Sequence, residues 1–136
     1  MLRISDVTYL VRDLDEAIGF FTEAVGFVVR QDETSGDRRR VVVGPADGGT
    51  GLVLAVARDG ADVGRQAGGK VAFFLETGDF AAQYERLRAY GVKFREEPRH
   101  EEYGTVVVFE DLYGMPWDLI EPPASSSSDG GAVASH

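Results

Sequence analysis

The sequence predicts an α+β fold built as two tandem βαβββ modules. Short runs of β-branched and apolar residues alternate with only two helical stretches, each opening at an Asp and closing at a Gly. The order of elements in the first half then recurs in the second. With 136 residues, 43% apolar and 27% charged, the chain holds one ordinary domain's worth of core and is excluded from the disordered and collagen-like classes.

Ile4–Val11 reads as the first strand, ending at Arg12-Asp13. Asp13 stands three residues before Glu16, the spacing of a helix N-terminal capping box, and Leu14, Ile18, Phe21 and Val25 follow on one helical stripe. Gly26 supplies the stop. Phe27–Arg30, Arg38–Val43 and Leu52–Ala57 are the next strands, separated by Gly36-Asp37 and by Gly44–Gly51. In the second half Val71–Leu75 is a strand, Asp79 caps a helix carrying Phe80, Tyr84 and Leu87, and Gly91 ends it. Val92–Phe94, Thr105–Phe109 and Trp117–Ile120 complete the set, with His100 in the loop before Thr105. Two copies of roughly 60 residues suit a duplicated module, since solenoids stack three or more repeats of ~20–50 residues. Module one is placed at residues 1–60 and module two at 68–121 within a single domain, 1–121. Residues 122–136, PPASSSSDGGAVASH, have no apolar periodicity and are expected to be a flexible Ser/Gly-rich tail.

The net charge of −9 argues against nucleic acid, whose binders need a basic surface to displace counterions. Arg38-Arg39-Arg40 is the one basic run, and Asp32, Glu33 and Asp37 flank it as in a solvated loop or strand start. No apolar run approaches the ~20 residues of a membrane span, and the N-terminus lacks a secretory core, so a cytoplasmic protein without membrane partners is expected. The absence of cysteine removes disulfides, thiolate metal sites and thiol nucleophiles.

Three segments carry a family resemblance. They are Val11-Arg12-Asp13-Leu14-Asp15-Glu16-Ala17 with Phe20-Phe21 and Val25-Gly26-Phe27; Tyr84-Glu85-Arg86-Leu87 with Gly91-Val92; and the run Phe109–Glu121. Together they resemble the vicinal oxygen chelate superfamily, which includes glyoxalase I, extradiol dioxygenases, fosfomycin-resistance enzymes and bleomycin-resistance proteins. The resemblance spans residues 4–121. It implies a curled mixed sheet around a cavity, helices on the outer face, and a homodimer.

In metal-dependent members, strands one, four, five and eight each point a His, Gln or Glu into the cavity, where they hold a divalent ion and leave positions open for substrate oxygens. The corresponding residues here are Asp6, seven before Asp13; Val53, or Gly51 in the other register; Ala72, or Val71; and Asp118, four after Gly114. Only Asp6 and Asp118 can donate to a metal, so no cofactor and no metal ligands are expected, with a weak divalent site on those two carboxylates as the alternative. If Asp6 faces the cavity, strand alternation adds Ile4, Thr8 and Leu10 to that side; Ala72 adds Lys70 and Phe74; Asp118 adds Pro116 and Ile120. Trp117 falls on the helix side. Tyr103, at the start of strand seven, joins the ligand-facing set, which becomes Asp6, Thr8, Val53, Ala72, Phe74, Tyr103 and Asp118.

The expected function is binding of a small molecule in the sheet cavity without the family's metal, as in the bleomycin-resistance branch. An acidic cavity suits a cationic aromatic ligand. The alternative is an enzyme, either a metal-dependent lyase or dioxygenase built on Asp6 and Asp118, or a metal-free lyase or isomerase using Asp118 or His100. Catalytic residues stay unassigned.

Overall fold

The computed structural model describes residues 1–124, so the expected tail lies, from Ser125 onward, outside the described residues. The chain divides into two compact units with the boundary between Gly69 and Lys70, one unit per module. Among the described residues no helix is long and apolar enough to cross a membrane.

Module one contains β1 (Asp6–Val11), α1 (Leu14–Gly19), β2 (Val28–Ser35), β3 (Arg38–Gly44) and β4 (Gly51–Val56). Its open sheet has the order β1-β4-β3-β2, with β1 parallel to β4 and the other pairs antiparallel. Asp13 caps α1 by accepting from the Glu16 N–H at 2.8 Å. The helix then widens into a π-helical turn, Phe20–Val25, which closes where the Gly26 N–H reaches the Phe21 carbonyl and Gly26 adopts φ 93°. That widening is why the buried stripe is Ala17, Phe20, Phe21, Ala24 and Val25, broader than the predicted one. Phe21 meets Tyr9 edge-on at 5.8 Å and stacks on Phe27 at 6.0 Å, fixing the helix on the β1 face that carries Tyr9 and Val11.

β2 extends five residues beyond the expected Arg30, although its second half is polar. Polar contacts with β3 hold it: Arg39 forks onto Asp32 at 2.9 Å through two nitrogens, and the Arg40 Nε–H donates to Gln31 at 3.1 Å. A bulge at Arg30 separates the apolar from the polar half. β1 is an edge strand, and its outer edge is met by a side chain: the Leu10 N–H donates to the Gln66 carbonyl at 2.7 Å, and the Gln66 amide donates to the Thr8 carbonyl at 2.9 Å. Gln66 thus supplies the pair of bonds a neighbouring strand would make.

Module two contains β5 (Phe73–Glu76), α2 (Phe80–Tyr90), β6 (Arg99–Glu101), β7 (Gly104–Glu110) and β8 (Pro116–Glu121), in an open sheet ordered β5-β8-β7-β6. Asp79 caps α2 through the Ala82 N–H, Gly91 ends it at φ 100°, and the Glu121 carboxylate accepts from the free Phe80 N–H at 2.6 Å. The expected strand Val92–Phe94 forms only a single bridge, Phe94 to Phe109. Pairing with β7 breaks off because the Glu96 carboxylate takes the Val108 N–H and Pro98 has none to give. It resumes at Arg99–Glu101, so His100 stands on a strand and not in a loop. Gly104, at φ 135°, begins β7 where any Cβ would come within 2.2 Å of the Glu121 carbonyl oxygen.

The Phe109–Glu121 signature owes its shape to Asp111, the buried charged residue of the core at 5% exposure. One carboxylate oxygen accepts from the Tyr113 and Met115 N–H groups at 2.9 and 3.1 Å, and the other from the Trp117 indole at 3.0 Å. The turn into β8 is thereby tied to the ring that packs against Phe73 and Phe109. Asp111→Ala strands two buried donors and one part-buried one and is expected to cost roughly 3 kcal/mol, with a Tm fall on the order of 10 °C. Urea unfolding of the variant checks this, and a loss of less than about 1 kcal/mol contradicts it.

Candidate functional site

A strand turns alternate side chains to opposite faces, so register assigns each residue to the helix-covered or the helix-free side of its sheet. In module one Tyr9, Val11, Val41, Val43, Leu52 and Leu54 share the covered side and are all buried. The other parity holds Asp6, Thr8 and Leu10 on β1, Gly51, Val53 and Ala55 on β4, and Val42 on β3. A groove of about 740 Å³ opens where β3 and β4 part beyond the Val41–Leu54 pair; Val53, Ala55, Gln31 and Arg40 line it from the helix-free parity, and Leu14, Arg39, Leu54 and Val56 from the helix side.

Thr8 is exposed and lies beside half-buried Val53 in register. Asp6 pairs with Gly51, and its carboxylate leans over the glycine: a Cβ there would stand 2.8 Å from Asp6 Oδ1 and 3.1 Å from Arg30 Nη1. The Arg30 guanidinium meanwhile donates to the carbonyls of Pro45, Gly48 and Gly49 at 2.6–2.7 Å, clamping the β3–β4 loop. Asp6 therefore has a cation for a neighbour. Arg30 and Gln66 were absent from the sequence reading. An Arg after two valines in a strand is a faint signal, and nothing marks Gln66.

In module two the helix-free parity is Phe74 on β5, Asp118 and Ile120 on β8, Val106 and Val108 on β7 and Arg99 on β6. Phe74 and Asp118 are register partners, and the phenyl ring is 67% exposed while the carboxylate is half-buried. Ala72 precedes β5 and takes no place in the sheet register. Tyr103 sits half-buried at the β6–β7 turn, its hydroxyl accepting from Arg99 Nη1 at 3.4 Å. Arg99 also bonds Glu96 and Glu101 at 2.9 and 2.7 Å. His100, paired with Thr105, has the opposite parity and is turned to the other face from Asp118, so the two cannot share an acid–base site on one face.

Burial raises the Asp118 carboxyl above its ordinary range; attraction to Arg99 opposes the shift, and Glu96 adds to it. The donor set does not fit a chelated divalent ion. Of the positions aligned with metal ligands, Asp6 and Asp118 carry carboxylates, the first of them beside a guanidinium, while Val53 and Ala72 have no lone pair to give. Among the described residues no three His, Asp or Glu side chains converge.

A family profile described as Glyoxalase/Bleomycin resistance protein/Dioxygenase superfamily matches residues 3–119. The chain belongs to that superfamily. An uncharacterised protein of Shewanella frigidimarina is 42% identical over 125 residues, 87% of this chain and 92% of its own length. Among solved structures, UcmS2 is 35% identical at a TM-score of 0.73, covering 88% of this chain and 98% of that one. TnmS3, an antibiotic binding protein from Streptomyces sp. CB03234, is 26% identical at a TM-score of 0.74, covering 90% and 97%. Like these relatives, this superfamily member keeps the two mixed four-stranded sheets.

The Asp118 shift fixes the sign of a pH effect. With its folded-state pKa raised, Asp118 favours the folded state at low pH, and that contribution is lost as pH rises through the folded value. Asp118→Asn is expected to raise Tm at pH 7, with the gain vanishing below the ordinary carboxylate range. Thermal melts across pH 3–8 check this, and a loss at pH 7 contradicts it.

Proposed function

We propose that this superfamily member binds an organic small molecule on the helix-free faces of its sheets, without a resident metal. The observation that carries the reading is Phe74: a phenyl ring left 67% exposed on a strand, in register with a half-buried carboxylate. The covered face of the same sheet buries Trp117, Phe109 and Leu119, so the fold does not lack room for aromatic rings. An apolar surface with a few polar groups is how ligand sites are commonly built. The likeness to an antibiotic binding protein supports the same use here.

Thermal-shift and calorimetric titration with aromatic natural products, in excess chelator, test the reading. A saturable ligand is expected, with affinity unchanged by chelator and weakened about tenfold by Phe74→Ala, a loss in line with burial of one side chain. No saturable ligand, or binding only with added metal, overturns it.

The proposal includes a homodimer. Two-fold assembly is the commonest arrangement for soluble oligomers, and both sheets are open with edge strands to cover. Light scattering at micromolar concentration is expected to give twice the 14.8 kDa chain mass; the monomer mass contradicts it.

A further inference from the structure

The basic run Arg38–Arg40 forms the start of β3, and alternation splits it. Arg39 turns to the helix side, where it bonds Asp32 at 2.9 Å and Asp15 of α1 at 3.0 Å. Arg38 and Arg40 consequently share the helix-free side, about 7 Å apart along the strand, and both line the groove where β3 and β4 part, which Arg39 also borders from the helix side. Arg40 lies one step beyond the last β3–β4 pair, Val41 with Leu54, on the parity of Val53 and Ala55. Its Nε–H is oriented by the Gln31 carbonyl at 3.1 Å. Among the described residues neither Arg38 nor Arg40 has an ion-pair partner, whereas Arg39 has two.

We propose that Arg38 and Arg40 clamp the acidic group of a planar aromatic ligand whose ring lies on Val53 and Ala55. The proposal rests on the small-molecule reading above and names the ligand class for the module-one face alone; Phe74 and Asp118 belong to module two. A guanidinium fork fits a carboxylate edge-on and stacks on a π-face, so two of them beside an aliphatic floor recognise an aromatic acid. Glu33 and Asp37 also line the groove. Glu33 stands opposite Arg40 in register but accepts from the Gln31 amide at 3.0 Å, and Asp37 belongs to the hairpin turn. Neither is within ion-pair distance of Arg38 or Arg40. The chain's net charge of −9 favours cations at long range, yet at physiological ionic strength charges beyond about 8 Å are largely screened, and the groove's own guanidiniums act at contact.

Titration with 2-naphthoate, its neutral amide 2-naphthamide, and cationic 2-naphthylmethylamine tests this, because the three differ chiefly in charge. The acid is expected to bind at least tenfold more tightly than either analogue. Arg38→Gln and Arg40→Gln should each weaken the acid about tenfold; Tm should stay unchanged in Arg38→Gln, whose side chain is exposed, and fall slightly in Arg40→Gln, which loses the bond to Gln31. Equal binding of the three probes, no binding of the acid, or unchanged acid affinity in both variants overturns the clamp. The small-molecule reading fails separately, when no ligand in the wider screen saturates.

Discussion

Each sheet in this protein has one helix to cover it, and a strand has two faces to fill. Period-two alternation therefore sorts side chains between a helix-covered and a helix-free face; the covered face carries most of the core, and on the other face Val42, Val106 and Ile120 are buried as well. In module one Tyr9, Val41 and Val43 go under α1, and Thr8, Val53 and Ala55 do not. In module two Trp117 and Leu119 go to the buried side while Asp118 and Phe74 remain at the surface. A slip of one residue would exchange the two sets completely. Side chains outside the ladders hold that register. Asp111 ties the turn before β8 to the Trp117 indole, Arg39 ties β3 to β2 and α1, and Arg30 pins the loop between β3 and β4.

The residues aligned with the family's metal ligands lie on or beside the helix-free faces. A chelate needs several convergent lone pairs, and the aligned positions offer two carboxylates and two hydrocarbons. Replacing donors by Val53 and Ala72 turns those positions from ion-binding to apolar. Burial raises the Asp118 carboxyl above its ordinary value.

Much of the fold was legible because its signals are local. Asp13 and Asp79 cap helices, Gly26 and Gly91 end them in the left-handed conformation, and the alternation around Trp117 places it in the core. What the sequence hid depends on contacts between distant residues. β6 is a charged Arg-His-Glu run with little strand propensity, paired only because the β6–β7 hairpin folds back at Gly104. The polar half of β2 is held by arginines seven and nine residues away. Of the seven predicted site residues, Thr8 with Val53 and Phe74 with Asp118 are register neighbours, and Tyr103 touches Arg99. Ala72 falls before its strand, and Asp6 leans over Gly51. The groove's Arg40 and Gln31 escaped notice because a run of arginines reads as solvent-facing until strand parity divides it.

The central claim is that ligands meet the helix-free faces. Methyl-resolved NMR of the intact chain titrated with 2-naphthoate, phenol and indole tests it most directly, because valines of both parities lie on the same strands. Perturbation of the Val53 and Val108 methyls, with Val41 and Val107 unmoved, is the predicted result. Shifts centred on Val41 and Val107, or no saturable shift with any of the three probes, would contradict the account.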